Sequence, residues 1–441
     1  MKNFLRKIFP ESFILWTHKL RAILAANFYG FPAKKMIIIG VTGTNGKTTT
    51  VHLITKILEE AGHKVGSITT IGFSIVGKCE KNNFKMTTFP PFFTQKKLKE
   101  MLKAGCEYVV METTSQAAVQ YRLWGIPIDI EVFTNLTHDH LDYHKTFENY
   151  KKAKGEIFAS LAKGFRKPGI KKISVINDDD PESGYFKSFD TDVILTYRIN
   201  KEARTRAEIV ARKIRYDIDG TRFEVVTPLG VTEIKLRLPG GFNVENALAA
   251  IAVGVSQNVS LSRIKSALEK IKLVEGRMEN ISEGQDFAVI VDYAHTPDAL
   301  KKIFEIVKPI TRGRLISVAG ATGRRDTTKR PILGALMGKY ADIVIVTDED
   351  PYDEDPEKIA QAVIEGVLRS DKNKFKEGEA FFKIIDRKKA IEKALSLAQK
   401  GDTVLVTGKG AEEVMAVGDK LVPFSDRQIA KEALKKLTEP E

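Results

Sequence analysis

The sequence predicts an α/β fold with two domains, each built around a mainly parallel sheet. From residue 36 onward, short β-branched runs alternate with helical stretches, which is typical of parallel strands joined by helices. The predicted strands end in polar residues, and a glycine-containing turn joins the first strand to a helix. The alternation starts again near residue 286. We therefore expect a central domain with a phosphate-binding loop and a Rossmann-like C-terminal domain.

The central domain begins with a strand, a turn and a long helix. "MIIIGVTG" predicts the strand and turn, "TTTVHLITKILEEAG" the helix, and "VGSITT" the second strand. Further strands are predicted in "CEYVVMETTS", "IDIEVFTNL" and "KISVIND". Residues 206–238 indicate an antiparallel meander with a turn at Asp219-Gly220. Two helices follow, in "NVENALAAIAVGVSQ" and "SLSRIKSALEKI".

The C-terminal domain repeats the strand and helix alternation. Its strands are predicted in "FAVIVDYAHTPDALKKIFEIV", "RLISVAG", "ADIVIVTDED" and "DTVLVTGKG". The preceding segment "KLVEGRMENISEGQD" is polar and lacks periodicity, which is typical of a linker. We therefore predict an N-terminal segment over residues 1–35, a central domain over 36–284 and a C-terminal domain over 285–441.

Composition excludes several classes of protein. With 441 residues and 43% hydrophobic content, the chain has the make-up of a globular protein. Cys79 and Cys106 form no CxxC pair, so we expect neither a disulfide framework nor a zinc knuckle, and we predict a cytoplasmic location. The net charge of +13 is spread among acidic residues without interleaved aromatic residues, so we predict no nucleic-acid partner.

Residues 1–35 form a basic, amphipathic segment. It holds the single acid Glu11 and seven basic residues, which are Lys2, Arg6, Lys7, Lys19, Arg21, Lys34 and Lys35. Its apolar residues are interrupted by His18 and Lys19. The uninterrupted apolar run is therefore too short to span a bilayer, which takes about 20 apolar residues. We favour a helix that packs on its own domain over peripheral contact with an anionic membrane.

The turn after the first strand has the residues of a nucleotide-binding loop. In "GVTGTNGKTTT", Gly46 and Lys47 open a helix whose N–H groups suit anionic oxygens. Lys47 adds a positive charge, and Thr48 offers a hydroxyl to Mg²⁺. The common loop has four residues between its two glycines, whereas here only two residues separate Gly43 from Gly46. The loop predicts a P-loop ATPase domain, and a turn chosen only for tightness is the structural alternative.

The shorter form "GTNGKTT" resembles the ATP loop of the Mur ligases, which add amino acids to peptidoglycan precursors. Later motifs agree in order: "METTSQAAVQYR", "FTNLTHDHLDYH", "NYKKAKGEIF", "GFNVENALAA", "EGRME", "DYAHTPDAL", "GRRDTTKRP", "DEDPYDEDP", "TGKGAEE" and "FSDR". The resemblance extends from about residue 36 to the end and is closest to the tripeptide-forming members. It implies an ATP- and Mg²⁺-dependent ligase, acting as a monomer, that joins lysine, ornithine or meso-diaminopimelate to a muramoyl-dipeptide precursor through an acyl phosphate.

The resemblance also implies residues for ATP and metal. Glu112 ends one strand and His140 follows another, so the two side chains could jointly hold Mg²⁺. The implied catalytic residues are Lys47, Glu112, His140 and Lys154, and the metal ligands are Thr48, Glu112, His140 and, if carbamylated, Lys154. The implied ATP-binding residues are Gly43, Thr44, Asn45, Gly46, Lys47, Thr48, Thr49, Asn243, Asn246 and Asp292. Helix capping for Asn243, a turn for Asp292 and a solvated charge for Lys154 are the structural alternatives.

Two further sets are implied for the substrates. The acceptor set is Thr87, Thr88, Thr114, Ser115 and Arg122, and the amino-acid set is Arg325, Glu349, Asp350, Tyr352, Gly408 and Glu412. Ligases for meso-diaminopimelate carry Asp-Asn-Pro-Arg where this chain has Glu349-Asp350-Pro351-Tyr352. An acidic loop suits the ammonium of lysine or ornithine, and a solvated charged loop is the alternative.

One domain of the family is expected to be absent, and two other functions compete with the cell-wall ligase. Members of the family usually begin with a uridine-diphosphate-binding domain, which we expect this chain to lack. A folylpolyglutamate- or cyanophycin-type ligase and a catalytically silent binding protein are the competing functions. "QYR", "EGRME" and "DYAHTPDAL" favour the cell-wall ligase, and intact Lys47, Glu112 and Lys154 count against a silent protein.

Overall fold

The computed structural model describes residues 10–82, 84, 86–199, 209–217, 220–371 and 373–438. Its contacts divide the chain into unit 1, Met1–Arg237 with Gly241–Lys272, and unit 2, Leu238–Gly240 with Leu273–Glu441. The division after Lys272 falls in the polar segment at which the sequence places a linker. The predicted basic residues Lys2, Arg6 and Lys7 and the predicted turn residue Asp219 lie outside the described residues.

Unit 1 is built, within its described residues, on an eleven-stranded sheet. Its strands are β1 Ile37–Thr42, β2 Val65–Ile68, β3 Gly72–Ile75, β4 Lys78–Lys81, β5 Tyr108–Glu112, β6 Ile130–Phe133, β7 Ile173–Asn177, β8 Val193–Ile199, β9 Ile209–Asp217, β10 Gly220–Thr227 and β11 Gly230–Leu236. The order is β11-β10-β9-β8-β7-β6-β1-β5-β2-β3-β4. From β9 to β2 neighbouring strands run parallel, while β9, β10 and β11 form the predicted antiparallel meander.

The helices of unit 1 follow the strands. They are α1 Glu11–Tyr29, α2 Lys47–Glu60, α3 Pro91–Lys103, α4 Ser115–Val119, α5 Leu141–His144, α6 Phe147–Lys163, α7 Ser183–Lys187, α8 Gly241–Ser256 and α9 Leu261–Lys270, with a 3₁₀ turn at Pro32–Lys35. Central strand β1 is apolar along its length, and Ile38, Ile39 and Val41 are fully buried. Burial on both faces is the normal state of a parallel strand covered by helices. The ends of β1 and its neighbours are therefore fixed by a packed core.

Helix α1 packs against α3, and its fully buried side chains are small. Ala22, Ala25 and Ala26 are fully buried, whereas Trp16 and Phe28 on the opposite side are exposed. The basic N-terminal segment is therefore helical over its described part and attached to unit 1. Across the described ranges of the chain, no helix has the length and apolar run needed to cross a bilayer.

Unit 2 holds, in its described residues, a six-stranded sheet in the order β12-β13-β17-β14-β15-β16 and a β18–β19 hairpin. The strands are β12 Glu279–Asn280, β13 Ala288–Asp292, β14 Leu315–Ala319, β15 Ile343–Val346, β16 Phe381–Lys383, β17 Thr403–Thr407, β18 Val414–Val417 and β19 Lys420–Pro423. The helices are α10 Pro297–Ile310, α11 Lys329–Tyr340, α12 Pro356–Ser370, α13 Arg387–Leu397 and α14 Asp426–Thr438. Strands β13, β17, β14, β15 and β16 are parallel, as expected for a Rossmann-like domain.

Candidate active site

The turn between β1 and α2 has the backbone of an anion-binding loop. Gly46 lies immediately before α2 with a φ of 86°, a left-handed conformation that glycine adopts without strain. A Cβ atom at residue 46 would also lie 2.3 Å from Oδ1 of Asn246, so a side chain would collide with it. Conformation and space both require glycine at residue 46. The first N–H groups of a helix such as α2 point out of its N-terminus and are available to anions. The loop can therefore receive phosphate oxygens.

The side-chain nitrogens of two lysines contact this loop. The ammonium of Lys47 donates to the carbonyls of Gly43 and Thr44 at 3.0 and 2.8 Å. The ammonium of Lys154, from α6, donates to the Gly43 carbonyl at 2.9 Å and to the Thr42 hydroxyl at 3.3 Å. Burial, together with the charge of Lys47, holds the pKa of Lys154 well below its ordinary value. A lowered pKa makes more of the neutral amine available at neutral pH. Lys154 is therefore not a solvated helix charge.

Residues from the turn after β6 hold the loop in position. The carbonyl of Asn135 accepts from the N–H of Thr44 at 2.9 Å, and its side-chain oxygen accepts from the N–H of Asn45 at 2.9 Å. The hydroxyls of Thr44 and Tyr150 lie 3.2 Å apart. Asn135 and Tyr150 were not singled out by sequence reasoning, although both stand in the motifs that follow β6. Their role is visible only once the chain is folded.

A carboxylate at the end of β5 reaches the start of α2. Oε1 of Glu112 accepts from the Thr48 hydroxyl at 2.7 Å and from the Thr70 N–H at 2.9 Å. Oε2 accepts from the Thr70 hydroxyl at 3.0 Å. Glu112 is 1% exposed, so its charge is held by these donors rather than by water. Sequence reasoning did not include Thr70.

The Thr48 and Glu112 pair fits a magnesium ion. Hydroxyl and carboxylate oxygens are the hard donors that Mg²⁺ prefers, and they lie together beside the phosphate-binding loop. In the described part of the chain no cluster of three or more His, Cys, Asp or Glu side chains could hold a metal. The four predicted metal ligands would not form such a cluster, because two of them, Thr48 and Lys154, are of other residue types. Thr48 and Glu112 are the two members that the structure brings into direct contact.

His140 and His144 differ in their surroundings. Nε2 of His140 lies 3.4 Å from Oδ2 of Asp139, and its ring lies 5.8 Å from that of Tyr150. The backbone of His140 is left-handed, with a φ of 56°. Nε2 of His144 lies 2.9 Å from the Ser115 hydroxyl, and burial lowers the pKa of His144 to about 4. His144 is therefore neutral at pH 7, while His140 is half-buried and remains the candidate ligand.

A second buried carboxyl group lies under the loop. Glu131 in β6 is fully buried, and burial raises its pKa to about 8. Oε1 accepts from the Thr113 hydroxyl at 2.5 Å, while Oε2 has no hydrogen-bond partner among the described residues. A protonated carboxyl group accounts for both facts, because a buried charge without a partner is costly. Glu131 was not predicted from the sequence, because it stands inside an otherwise apolar strand.

Hydrogen bonds tie Thr88, Thr114 and Arg122 together and place Thr87 beside Thr70, while the fifth predicted acceptor residue, Ser115, contacts His144. The hydroxyl oxygens of Thr70 and Thr87 lie 3.0 Å apart, and those of Thr88 and Thr114 lie 3.1 Å apart. The Arg122 guanidinium donates to the Thr88 carbonyl at 2.7 Å. Thr70 also donates to the Glu112 carboxylate described above. Thr87, through Thr70, therefore lies beside the Glu112 and Thr48 pair in unit 1.

The two predicted asparagines pack behind the loop. Asn246 Nδ2 donates to Oδ1 of Asn243 at 3.2 Å, and Oδ1 of Asn246 accepts from the Thr50 hydroxyl at 3.3 Å. Both asparagines are buried, at 5% and 4% exposure. Asn243 is the third residue of α8 and is not its N-cap. The contact through Thr50 links α8 to the helix that begins with Lys47.

In unit 2, Asp292 organises a turn at the end of β13. Its carboxylate accepts from the N–H groups of Met278 and Ala294 at 2.7 and 2.6 Å. Burial raises the pKa of Asp292, opposed by the charge of Arg277. The carbonyl of Asp292 also accepts from the N–H of Gly408 at 3.1 Å. These bonds agree with the structural alternative of turn formation and leave the ribose role as a prediction.

The acidic loop of unit 2 is partly neutralised by a lysine. Lys409 is fully buried, and its ammonium donates to Asp350 at 3.1 Å and to Glu412 at 2.8 Å. Two carboxylates and one ammonium leave a single negative charge in this cluster, fewer than the two that the acids carry alone. Asp350 is buried, so this part of the acidic loop is not the solvated loop of the structural alternative.

Glu349 and Gly408 are brought together beside this cluster. A Cβ at residue 408 would lie 2.2 Å from Oε2 of Glu349, so the carboxyl group packs directly on the glycine backbone. Thr322 donates to Oε1 of Glu349 at 3.0 Å. Burial raises the pKa of Glu349 to about 7, opposed by the charges of Arg387 and Lys329. This carboxyl group therefore titrates near neutral pH.

Tyr352 stands in a constrained segment of the same loop. Asp350 and Tyr352 both have a φ of 52°, a region that costs about 1–3 kcal/mol for residues with side chains. The guanidinium of Arg324 lies 5.4 Å from the centre of the Tyr352 ring. Burial raises the pKa of Tyr352, and the charge of Arg325 opposes that rise. Arg325 is half-buried, so it is accessible to a substrate carboxylate.

Comparison with known protein families finds two matching models. Residues 41–254 match the Mur ligase middle domain, and residues 276–410 match the Mur ligase, glutamate ligase domain. The chain is also similar to a UDP-N-acetylmuramoyl-L-alanyl-D-glutamate–2,6-diaminopimelate ligase of Geobacillus thermodenitrificans, with 40% identity over 95% of this chain and 83% of that protein. A UDP-N-acetylmuramyl-tripeptide synthetase of a Roseiflexus species is 42% identical over 94% of this chain and 82% of that protein.

Solved structures agree with these relatives. A UDP-N-acetylmuramoyl-L-alanyl-D-glutamate–2,6-diaminopimelate ligase has a TM-score of 0.61 and 30% identity, covering 92% of this chain and 79% of that one. Folylpolyglutamate synthase of Mycobacterium tuberculosis with ADP has a TM-score of 0.73 but 18% identity, covering 96% and 94%. At that identity the second likeness shows the shared fold alone. The predicted fold class and enzyme class, an α/β ligase, are confirmed, and the chain belongs to the Mur ligase family.

Proposed function

We propose that this protein is an ATP-dependent ligase that adds a diamino acid to a muramoyl-dipeptide precursor of peptidoglycan. The relatives that are 40% and 42% identical over most of the chain are named for this type of reaction. The observation that carries the proposal is the contact between Thr48 and Glu112, at 2.7 Å, beside a loop that Lys47 and Lys154 both reach. A phosphate-binding loop, a metal-binding pair and an acceptor cluster are then continuous in unit 1.

The reaction proceeds in two balanced steps. An oxygen of the acceptor carboxylate attacks the γ-phosphorus of ATP. An acyl phosphate forms, and the bond to the β-phosphate oxygen breaks as ADP leaves. The amine of the incoming amino acid then attacks the acyl carbon, a C–N bond forms, and inorganic phosphate leaves with the electrons of the C–O bond. The amine loses one proton in this step. A peptide bond, ADP and phosphate are the products.

The residues of unit 1 have separable roles. Lys47 offsets negative charge on the transferred phosphoryl group, and the N–H groups at the start of α2 orient it. Mg²⁺, held by Thr48 and Glu112, would reduce the repulsion between phosphate and carboxylate. Arg122 and the threonine cluster position the acceptor. Lys154 is proposed to be carbamylated, because its buried amine has a lowered pKa and neutral amines react with carbon dioxide.

The residues of unit 2 are proposed to select the amino acid. Arg325 would bind its α-carboxylate, because a guanidinium matches a carboxylate in shape and charge. The cluster of Asp350, Glu412 and Lys409 retains one negative charge, and Tyr352 brings no positive charge to this loop. A terminal ammonium, as in lysine or ornithine, is favoured there over a second carboxylate.

Acceptor-dependent phosphate release tests the proposal against its alternatives. The protein is incubated with ATP and Mg²⁺, and phosphate is measured with UDP-N-acetylmuramoyl-L-alanyl-D-glutamate and each diamino acid, and separately with a reduced folate and glutamate. We expect release only with the muramoyl dipeptide and a diamino acid present together. Release with the folate pair would support the folylpolyglutamate alternative, and no release with either pair would support a silent binding protein.

Two finer properties belong to the same proposal. We propose a cytoplasmic location, supported by the absence of a disulfide between exposed Cys79 and buried Cys106. We also propose that the protein acts as a monomer, which light scattering of the purified protein at assay concentration would test. A dimer mass under assay conditions would reject that part of the proposal.

A further inference from the structure

Helix α1 is turned so that its large apolar side chains face away from the protein. Its buried side is made of alanines, and Ala22, Ala25 and Ala26 have no exposed surface. Its outer side carries the α1 stripe, defined as Phe13, Trp16, Leu20, Leu24 and Phe28, with exposures of 44, 56, 40, 52 and 76%. Scattered exposed apolar residues are normal, but five on one helix form a contiguous patch that usually contacts a partner.

The spacing of the stripe makes it continuous. Its members are separated by three or four residues, so helical geometry places them in one row along α1. The rings of Phe13 and Trp16 are stacked at 5.9 Å. At the other end, the Phe28 ring lies 6.4 Å from that of Phe92, which is the second residue of α3 and is 43% exposed. The exposed apolar surface therefore continues from the α1 stripe onto α3.

Positive charges border this stripe on both sides. Lys19 and Arg21 are exposed, and each is rotated by about 100° from Leu20, in opposite directions around the helix. Lys34 and Lys35 are exposed in the 3₁₀ turn that follows. In the sequence of residues 1–35, seven basic residues accompany one acid. A surface that covers the stripe would therefore meet these cations, and a negatively charged surface would be attracted.

The form of the contact follows from helix length and hydropathy. In the described part of the chain, no helix can cross a membrane, and α1 packs against α3. An apolar row with tryptophan, bordered by basic residues, is the pattern of helices that lie in the plane of a lipid surface. Phosphates of anionic lipids would lie at the level of Lys19 and Arg21, because basic residues near such a surface are attracted to it.

We propose that α1 is a docking element for an anionic lipid membrane, with the α1 stripe inserted at the boundary between headgroups and acyl chains. This inference goes beyond the ligase reaction and does not depend on it. The contact would hold the enzyme at a membrane surface without a spanning segment. Because the stripe contributes none of the predicted site residues, lipid binding and ligase activity toward dissolved substrates are separable.

Vesicle sedimentation with the full chain tests this inference. The protein is mixed with vesicles of phosphatidylcholine, alone or with phosphatidylglycerol, at low and high salt. The stripe variant is Trp16→Ser with Leu24→Ser, and its matched control is Ile310→Ser with Leu437→Ser, because both control residues are apolar, helical and 53% exposed. A charge variant is Lys19→Gln with Arg21→Gln. Thermal melting of each variant verifies that the fold is retained.

We expect the natural protein and the control to sediment with anionic vesicles and much less with neutral ones. The stripe variant should lose about tenfold or more in the partition coefficient, because two large apolar side chains no longer insert. The charge variant should also lose about tenfold, and high salt should weaken binding of the natural protein. Phosphate release with dissolved substrates should be unchanged in the stripe variant.

Three results would overturn the inference. The first is no sedimentation of the natural protein with anionic vesicles. The second is equal binding by the natural protein and the stripe variant, which would place any lipid contact elsewhere. The third is a dimer that light scattering detects in the natural protein but not in the stripe variant, since a second copy of the chain would then cover the stripe.

Discussion

The Thr48 hydroxyl donates a 2.7 Å hydrogen bond to the Glu112 carboxylate, and this bond joins the start of α2 to the end of β5. These residues are 64 positions apart in the chain, yet both place an oxygen atom that could bind a metal ion at the phosphate-binding loop. Donors of this type suit Mg²⁺, and the loop suits the phosphates that such an ion accompanies. The pair therefore carries the assignment of a nucleotide-dependent ligase.

Glu112→Gln should abolish most activity while leaving the fold intact. Glutamine keeps an oxygen for Thr48 and Thr70 but removes the negative charge that a metal ion needs. We expect phosphate release to fall about 100-fold or more, with a weaker dependence on Mg²⁺. Phosphate assays over a magnesium titration measure both effects. Glu59→Gln on the same helix α2 as Thr48 is the control, and equal activity of the two variants would contradict the assignment.

Lys154→Ala should be far more damaging than Lys152→Ala. Lys154 is fully buried against the loop, whereas Lys152 on the same helix is exposed. We expect about a 100-fold loss for Lys154→Ala and less than a twofold change for Lys152→Ala. If the buried amine is carbamylated, activity of the natural protein should also rise when bicarbonate is added to carbon-dioxide-depleted buffer. A bicarbonate-independent enzyme would remove carbamylation from the account.

Gly46→Ala should impair nucleotide binding. Alanine would be strained at a φ of 86° and would collide with the side chain of Asn246. We expect a loss of about 1–3 kcal/mol in unfolding free energy, and no rise in melting temperature when ATP is added. Gly184→Ala is the control, because nothing lies within 4 Å of its Cβ position. ATP protection of the Gly46→Ala variant equal to that of the control would refute this reading of the loop.

Glu349→Gln should make stability less dependent on pH. Burial raises the pKa of Glu349 from 4.5 to about 7, so the folded state binds more protons than the unfolded state between these values. Stability contributed by the protonated form is present below pH 4.5 and is lost as pH rises through about 7. Relative to the natural protein, the variant should gain up to about 3 kcal/mol across this window. Denaturant melts at several pH values measure this gain, and a constant difference would reject the raised pKa.

Tyr352→Arg should shift amino-acid preference toward meso-diaminopimelate. Arginine would place a positive charge beside the single net negative charge of the Asp350, Glu412 and Lys409 cluster. The left-handed backbone at residue 352 already tolerates a side chain, so the substitution adds little strain. We expect the kcat/KM ratio of meso-diaminopimelate to lysine to rise at least about tenfold. Tyr352→Phe should leave that ratio unchanged, and an equal shift in both variants would exclude a charge effect.

Local sequence patterns were enough to predict the elements that place the loop. The strand that ends near Gly43, the helix from Lys47 and the polar end of the strand at Glu112 are all present in the structure. These elements have strong periodicity and a turn whose chemistry is set by glycine. Strands β3, β4, β8, β12, β16, β18 and β19 were not predicted; six of these seven have only two to four residues and carry little periodic signal of their own.

Contacts between distant residues explain what else the sequence could not reveal. Thr70 meets Glu112 from 42 positions away, and Lys409 meets Asp350 from 59 positions away. Thr70 lies in a turn and Lys409 lies in the "TGKGAEE" motif, and neither segment by itself indicates which distant residue it contacts. The partial neutralisation of the acidic loop by Lys409 therefore became visible only in the folded chain.

Mass spectrometry of the reaction product tests the central claim most directly. The protein is incubated with ATP, Mg²⁺ and UDP-N-acetylmuramoyl-L-alanyl-D-glutamate, together with lysine, ornithine and meso-diaminopimelate in competition. We predict a new species whose mass equals the acceptor plus one diamino acid minus water, with lysine or ornithine preferred, and its absence in the Glu112→Gln variant. Unchanged acceptor under all conditions would contradict the claim that this site forms a peptide bond.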